Sequence, residues 1–291
     1  MAKAVAKLID QFHAKRPVRA WSLIITLYGD AIVPRGGSLW LGSLSEIMAL
    51  FRIDAGHVRT AMSRLTADGW LTREKVGRNS YYRLSRREHG GFIAATQRIY
   101  FTHTPLFDGR LRLALLGPGI DDRSAARPML ERAGFAALSP TAYVAFADPT
   151  PSLPTTEGLF LLHTQEGEDL SALAMAAWQL APIAQAYRAF IDHFTPLDTA
   201  LAKTTQAPGP AALVARILLI HEFRRIVLRD PGLPPGLLPE DWPGAAARAL
   251  TARLYRKLVA ESEGFLDSAA QDQNGALPPA GDELAERFSS E

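Results

Sequence analysis

Between Asp54 and Ser85 the chain reads DAGHVRTAMSRLTADGWLTREKVGRNSYYRLS, and its apolar period changes from that of a helix to that of a strand across a single glycine. Val58, Ala61, Met62 and Leu65 fall at i, i+3, i+4 and i+7, which predicts a helix buried along that stripe. Asp54 is placed to cap its start, and Gly69 suits the left-handed residue that ends it. WLTREK and SYYRL, separated by VGRN, predict a two-stranded hairpin. Upstream, RAWSLIITLYGDAI (19–32) reads as a buried first helix and RGGSLWLG (35–42) as a turn and short strand. Ser43 with Glu46 three residues on has the capping-box pattern for a helix over 44–51. Helix, turn, helix and basic hairpin are the parts of a winged helix-turn-helix module.

The side of the second helix turned away from the apolar stripe carries His57, Thr60, Ser63 and Arg64, with Arg59 on the flank. Arginine can donate two hydrogen bonds to a guanine edge in the major groove, and threonine and serine supply shorter contacts. In the hairpin, Lys75, Arg78, Asn79, Ser80 and Tyr81 can grip the flanking phosphates, fixing register without reading sequence. Strand alternation buries one tyrosine of the pair, assigned as Tyr82, and turns Tyr81 toward the nucleic acid. A solvated helix face is the plain alternative, but cap, preceding helix, terminating glycine and hairpin agree with one another. Charge points the same way: the segment 52–87 carries nine basic and three acidic residues, whereas 261–291 carries eight acids and one base, Arg287. A basic block of this kind implies a polyanionic partner.

With 291 residues the chain has room for two or three domains, and 47% apolar with 21% charged residues suits a soluble globular protein. The absence of cysteine excludes disulfides, thiolate zinc sites and a cysteine nucleophile. No leader pattern opens the sequence and no apolar run approaches membrane-spanning length, so a cytoplasmic protein without membrane attachment is expected. After a connector helix over 86–101, LRLALL, DDRSAARPMLERAGF, TAYVAF and GLFLLHT give a βαββ pattern, hence a small α+β sheet domain, with ADPTPSLPTTEG as an exposed loop. From Ser171 onward three apolar-periodic helices follow, and the last twenty or so residues, acidic and rich in Gly and Pro, read as a mobile tail. The expected organisation is α+β and multidomain: 1–88 winged helix-turn-helix, 89–168 connector and middle domain, 169–270 helical domain, 271–291 flexible acidic tail.

LYGDAIVPRGGSLWLGSL, HVRTAMSRLTADGWL, VGRNSYYRLS and LLIHEFRRIVLRDPGLPPGLLPEDWPG resemble the PaaX family, transcriptional repressors of phenylacetic acid degradation genes, over about residues 16–258. The resemblance implies a winged helix on double-stranded operator DNA, a middle domain similar to the ferredoxin-like Cas2 fold, a helical C-terminal domain and a homodimer. It implies no cofactor, but an aryl-CoA inducer, phenylacetyl-CoA, whose binding lowers operator affinity. Nucleases of similar fold carry an acid at the end of the first strand. LRLALLGPG has none before Asp121 and Asp122, so metal-dependent cleavage is not expected.

His221, Arg225 and Arg229 recur every four residues with Arg224 beside them, one basic face that either pairs with acids such as Glu222 and Asp230 or holds the CoA phosphates. Trp178 and Tyr187, with Phe190, either belong to the core or line a pocket for a phenyl group. HEFRR is not half of a zinc site, because the second histidine would stand where Arg225 does. Two other classes stay open: an enzyme acting on acyl-CoA, for which no GxSxG, HExxH or phosphate-loop motif is present, and an RNA-binding or architectural protein.

Overall fold

The computed structural model describes all residues except 15–18, 86–88, 103–104, 106, 119, 121–122, 148–152, 154–156, 166–169, 204–206 and 290–291. Asp121, Asp122 and most of the proline-rich loop therefore lie outside the described residues. The architecture is α+β, in two compact units: 1–102 with 187–228 and 244–291, and 103–186 with 229–243. The helical stretch 169–270 thus does not form a body of its own. No helix among the described residues is long and apolar enough to cross a membrane.

The first unit opens with α1 (Ala2–Ala14), a helix not expected from the sequence although Val5, Leu8, Ile9 and Phe12 bury one stripe of it. α2 (Ala20–Leu27) is buried on nearly every side. Its path widens into a π turn at Tyr28–Ile32 and then a 3-10 turn at Val33–Arg35. Gly29 lies in the π turn because Phe92 packs where a Cβ would sit, 2.7 Å from the ring. β1 (Ser38–Trp40) leads into α3 (Leu41–Leu50), then α4 (Ala55–Ala67) and the hairpin β2 (Leu71–Val76) and β3 (Asn79–Leu84). The strands form an antiparallel sheet in the order β1-β3-β2, with Leu39 opposite Tyr82 and Trp40 opposite Tyr81. Ser43 does not cap α3, which starts two residues earlier at Leu41; its hydroxyl instead accepts the amide of Gln271 at 3.1 Å.

α5 (His89–Tyr100) follows the hairpin. In the second unit, β4 (Arg112–Leu116), α6 (Arg123–Arg132), β5 (Ala136–Ser139), β6 (Ala142–Ala145) and β7 (Leu159–His163) build an antiparallel sheet in the order β5-β6-β4-β7. The pattern is βαβββ, not βαββ: AALS is too short to show alternation, yet it pairs with β6 across the Pro140–Thr141 turn. One sheet face buries Leu116, Leu130, Phe135 and Tyr143 around α6. Leu111 and Val144 belong to a second core with Ala174 and Ala177 of α7 (Ser171–Ala177).

α8 (Leu180–Ala202) runs into the first unit, where α9 (Gly209–Val227), buried along most of its length, lies along α10 (Gly244–Ala269). The short β8 (Gln271–Asp272) and β9 (Gly275–Ala276) and the turn-length α11 (Glu283–Glu286) complete the chain. The stretch expected to be a mobile tail is docked instead. Phe288 is fully buried against Tyr100 and Tyr255, and the Arg287 guanidinium lies over the Tyr100 ring at 4.2 Å. Acidic composition misleads here because the anchoring is done by Arg287, Phe288 and hydrogen bonds such as those of Arg35 to the Pro278 carbonyl and of the Gly281 amide to the Pro34 carbonyl.

Beneath them is a buried polar cluster. Asp30 meets Arg216 Nε at 2.6 Å and Arg287 at 3.3 Å, and accepts from Tyr100 and Tyr255 at 2.7 and 3.0 Å. Glu263 bridges Arg216 to Arg35. Burial pushes the Tyr100 hydroxyl well above its ordinary pKa and that of Tyr255 up to about 12, so both remain donors to the carboxylate.

Candidate functional site

α4 is built as its sequence predicts. Asp54 Oδ1 accepts the amides of Gly56 and His57 at 2.8 and 3.0 Å, and Val58, Ala61, Met62 and Leu65 are buried. Gly69 ends the turn at φ 79°. The outward side presents His57, Arg59, Thr60, Ser63 and Arg64, all exposed. His57 donates from Nδ1 to the Asp54 carboxylate, and this bond is the main cause holding the Asp54 pKa down to about 2. Thr60 turns its hydroxyl back to Gly56 O at 3.1 Å. Arg64 lies over the Trp21 ring of α2 at 5.5 Å, with Asp68 3.4 Å from its Nε.

On the hairpin Lys75, Arg78 and Asn79 are exposed around the Gly77 turn, whereas Ser80 and Tyr81 are buried. The last two do not face solvent because β3 is the central strand. Tyr81 is flanked by Trp40 and Glu74, and Arg73 reaches diagonally to Ser80 Oγ at 2.8 Å. Alternation along β3 cannot reveal that both its sides are covered, so Tyr82 and Tyr81 are both inside. Arg83 on β3 is exposed and extends the basic surface beyond the residues picked from the hairpin sequence.

The six residues expected to hold a ligand are divided between the two units. Trp178 and Arg229 belong to the second unit, and His221, Arg224, Arg225 and Tyr187 to the first. α9 ends at Val227, so the four-residue spacing does not carry helical geometry to Arg229. His221 is buried, sharing a hydrogen bond with Thr26 Oγ1 at 3.0 Å and meeting Phe12 edge-on. Tyr187 is buried, and Trp178 is half-buried beside Phe146. Arg225 is half exposed, 3.8 Å from Glu222.

Arg224 differs from its neighbour. Its Nη2 donates to the Ser22 carbonyl and hydroxyl at 2.9 and 2.8 Å, while its Nε is buried with no hydrogen-bond acceptor. Burial lowers its pKa. It borders a cavity of about 220 Å³, walled chiefly by Trp21, Trp70, Phe92, Tyr100 and Ile220 and partly open to solvent.

Residues 19–88 match the family described as PaaX-like protein, and residues 178–268 match the PaaX-like protein C-terminal domain. The transcriptional repressor PaaX of Escherichia coli (strain K12) is 34% identical over 292 residues, covering 94% of this chain and 90% of that protein. The chain belongs to the PaaX family. Among solved structures, an uncharacterized protein, Rv0674 from Mycobacterium tuberculosis, is similar at a TM-score of 0.49 and 22% identity, covering 76% of this chain and 89% of that one.

In this PaaX-family chain, α4, the hairpin, Asp30 and Arg216 all fall within the two matched stretches, whereas Arg287 and Phe288 follow them. The cavity and the buried cluster were not picked from the sequence. The cluster had a signal there: Asp30 and Arg216 are lone charges inside the apolar runs LIITLYGDAIV and AALVARILLI, and such charges must find partners. The cavity had none, since its walls come from segments distant in the chain.

Proposed function

We propose that the protein binds double-stranded operator DNA through a winged helix-turn-helix formed by α3, α4 and the β2–β3 hairpin, and leaves it when an aryl-CoA, phenylacetyl-CoA, binds. The coarser statement follows from family membership: the protein is a transcriptional repressor, a regulator and not an enzyme, and a repressor binds DNA. The observation that carries the finer reading is the exposed row Arg59, Thr60, Ser63 and Arg64 on a capped helix whose other side is anchored in the core, beside a hairpin tip bearing Lys75, Arg78 and Asn79. α4 enters the major groove, where arginine reads guanine, and the tip grips phosphates.

The second unit has the strand order of a ferredoxin-like sheet, as in the Cas2-like domain that the PaaX resemblance implies. A homodimer fits the same reading. β7 is an edge strand with Phe160, Leu161 and Leu162 all about half exposed, an edge a monomer would leave bare. Two copies would read half-sites separated by whole turns of about 10 to 10.5 base pairs.

The test is a gel shift on the DNA upstream of the protein's own gene, with and without phenylacetyl-CoA, and with duplex RNA of the same sequence as competitor. A specific shift abolished by phenylacetyl-CoA is expected. Equal competition by the RNA would favour an RNA-binding role, and a shift unaffected by the ligand would remove the inducer.

A further inference from the structure

The cavity bordered by Arg224 has a size and a donor set that select a ligand. A dry apolar cavity of about 150 Å³ is enough to take a benzene ring. At about 220 Å³ this one has room for a phenyl ring and a short acyl group, but not for a nucleotide. Trp21, Trp70, Phe92 and Ile220 offer aromatic and aliphatic surface. Two polar side chains on the wall are already committed: Tyr100 donates to Asp30, and the Asp30 carboxylate is matched by Arg216 and Arg287. Arg224 Nε, on the same wall, is buried and without an acceptor. A buried donor of this kind is costly until an acceptor reaches it.

We propose that this cavity receives the aromatic acyl end of the effector, ring against Trp21 and Trp70 and carbonyl oxygen toward Arg224, with the remainder of the molecule leaving through the open side. This rests on the repressor and inducer reading above and adds its site and its route to the DNA. The route runs through two wall residues. Trp21 carries Arg64 of α4 on its ring and precedes Ser22, which Arg224 holds. Trp70 follows the glycine that ends α4, and its amide donates to Leu65 O at 2.9 Å. A ring seated between these indoles shifts the support of the C-terminal half of α4, and with it Arg64.

Isothermal titration calorimetry on the full chain tests the site, using phenylacetyl-CoA and, separately, CoA, with melting curves as the control of folding. Ala95→Phe extends a ring into the cavity from α5, and Ala95→Leu does so more gently if the first melts early. Phenylacetyl-CoA binding should weaken about tenfold or more in the filled variants, the cost of overpacking a site, with the fold kept. Arg224→Gln should weaken it by a similar factor, about tenfold, as a hydrogen bond to a charged donor is lost. CoA itself should bind the unaltered protein far more weakly than phenylacetyl-CoA. If a folded Ala95 variant binds phenylacetyl-CoA as tightly as the unaltered protein, the cavity is not the site and the repressor reading stands. If the unaltered protein binds no phenylacetyl-CoA, the inducer reading falls and this proposal with it.

Discussion

The arginines of α4 and those of the α9 region are the same residue put to opposite uses. Arg59 is exposed and the Arg64 side chain is 64% exposed, whereas Arg216 is fully enclosed with Asp30 and Glu263. A guanidinium in water keeps its capacity to exchange hydration for phosphate or a base edge. One buried with a carboxylate has been committed to folding, and removing either partner strands the other. Arg224 stands between these cases, partly committed to Ser22 and partly unmet. Net charge along the chain sees none of this difference, so the number of arginines in a segment does not say which of them bind a partner.

The contrast can be broken most severely from the buried side. Arg216→Met should cost about 3 to 5 kcal/mol, because Asp30 loses its closest cation in the core. Urea denaturation would measure it, and a midpoint equal to that of the unaltered chain would mean Asp30 does not depend on Arg216. Arg59→Ala, by contrast, should leave stability within about 0.5 kcal/mol.

The reverse holds for DNA. Arg59→Ala should weaken operator binding by about 1 to 3 kcal/mol and binding to random duplex much less. Fluorescence anisotropy on both sequences checks this, and equal losses would refute base reading by Arg59. Arg78→Ala should weaken both together and make the dependence of log affinity on log salt shallower by about one unit, since one phosphate contact disappears. An unchanged slope would put the hairpin tip away from the backbone.

The smallest expected effect is one of pH. The Asp54 carboxyl is held at about 2, below its ordinary 3.8, first by its bond to His57. A depressed carboxyl contributes stability that is present above pH about 4 and is lost as pH falls toward 2. Asp54→Asn should therefore flatten the melting temperature across that window, and parallel curves for the two proteins would contradict the cap's ionic part.

The helix and hairpin were legible because each end carries its own chemistry: Asp54 where amides need an acceptor, Gly69 where the backbone turns left-handed, and a period change between them. Val5, Leu8, Ile9 and Phe12 carry an equally regular stripe, and α1 forms on it. What a single strand or helix cannot state is what covers it. Tyr81 looked outward-facing until β1 closed the sheet, and His221 looked like the neighbour of Arg225 on a basic face until Phe12 and Thr26 enclosed it. The docking of Arg287 and Phe288 depends on Asp30 and Tyr100, more than 180 residues earlier, which no local composition can foretell.

The most direct test of a repressor that trades DNA for an aryl-CoA is thermodynamic reciprocity. Calorimetric titration of phenylacetyl-CoA into the free protein and into its operator complex gives two affinities, and their ratio must equal the factor by which the ligand weakens operator binding. The expected result is weaker ligand binding in the complex by that same factor. Equal ligand affinity in the two titrations would contradict the coupling, whatever a gel shift displayed.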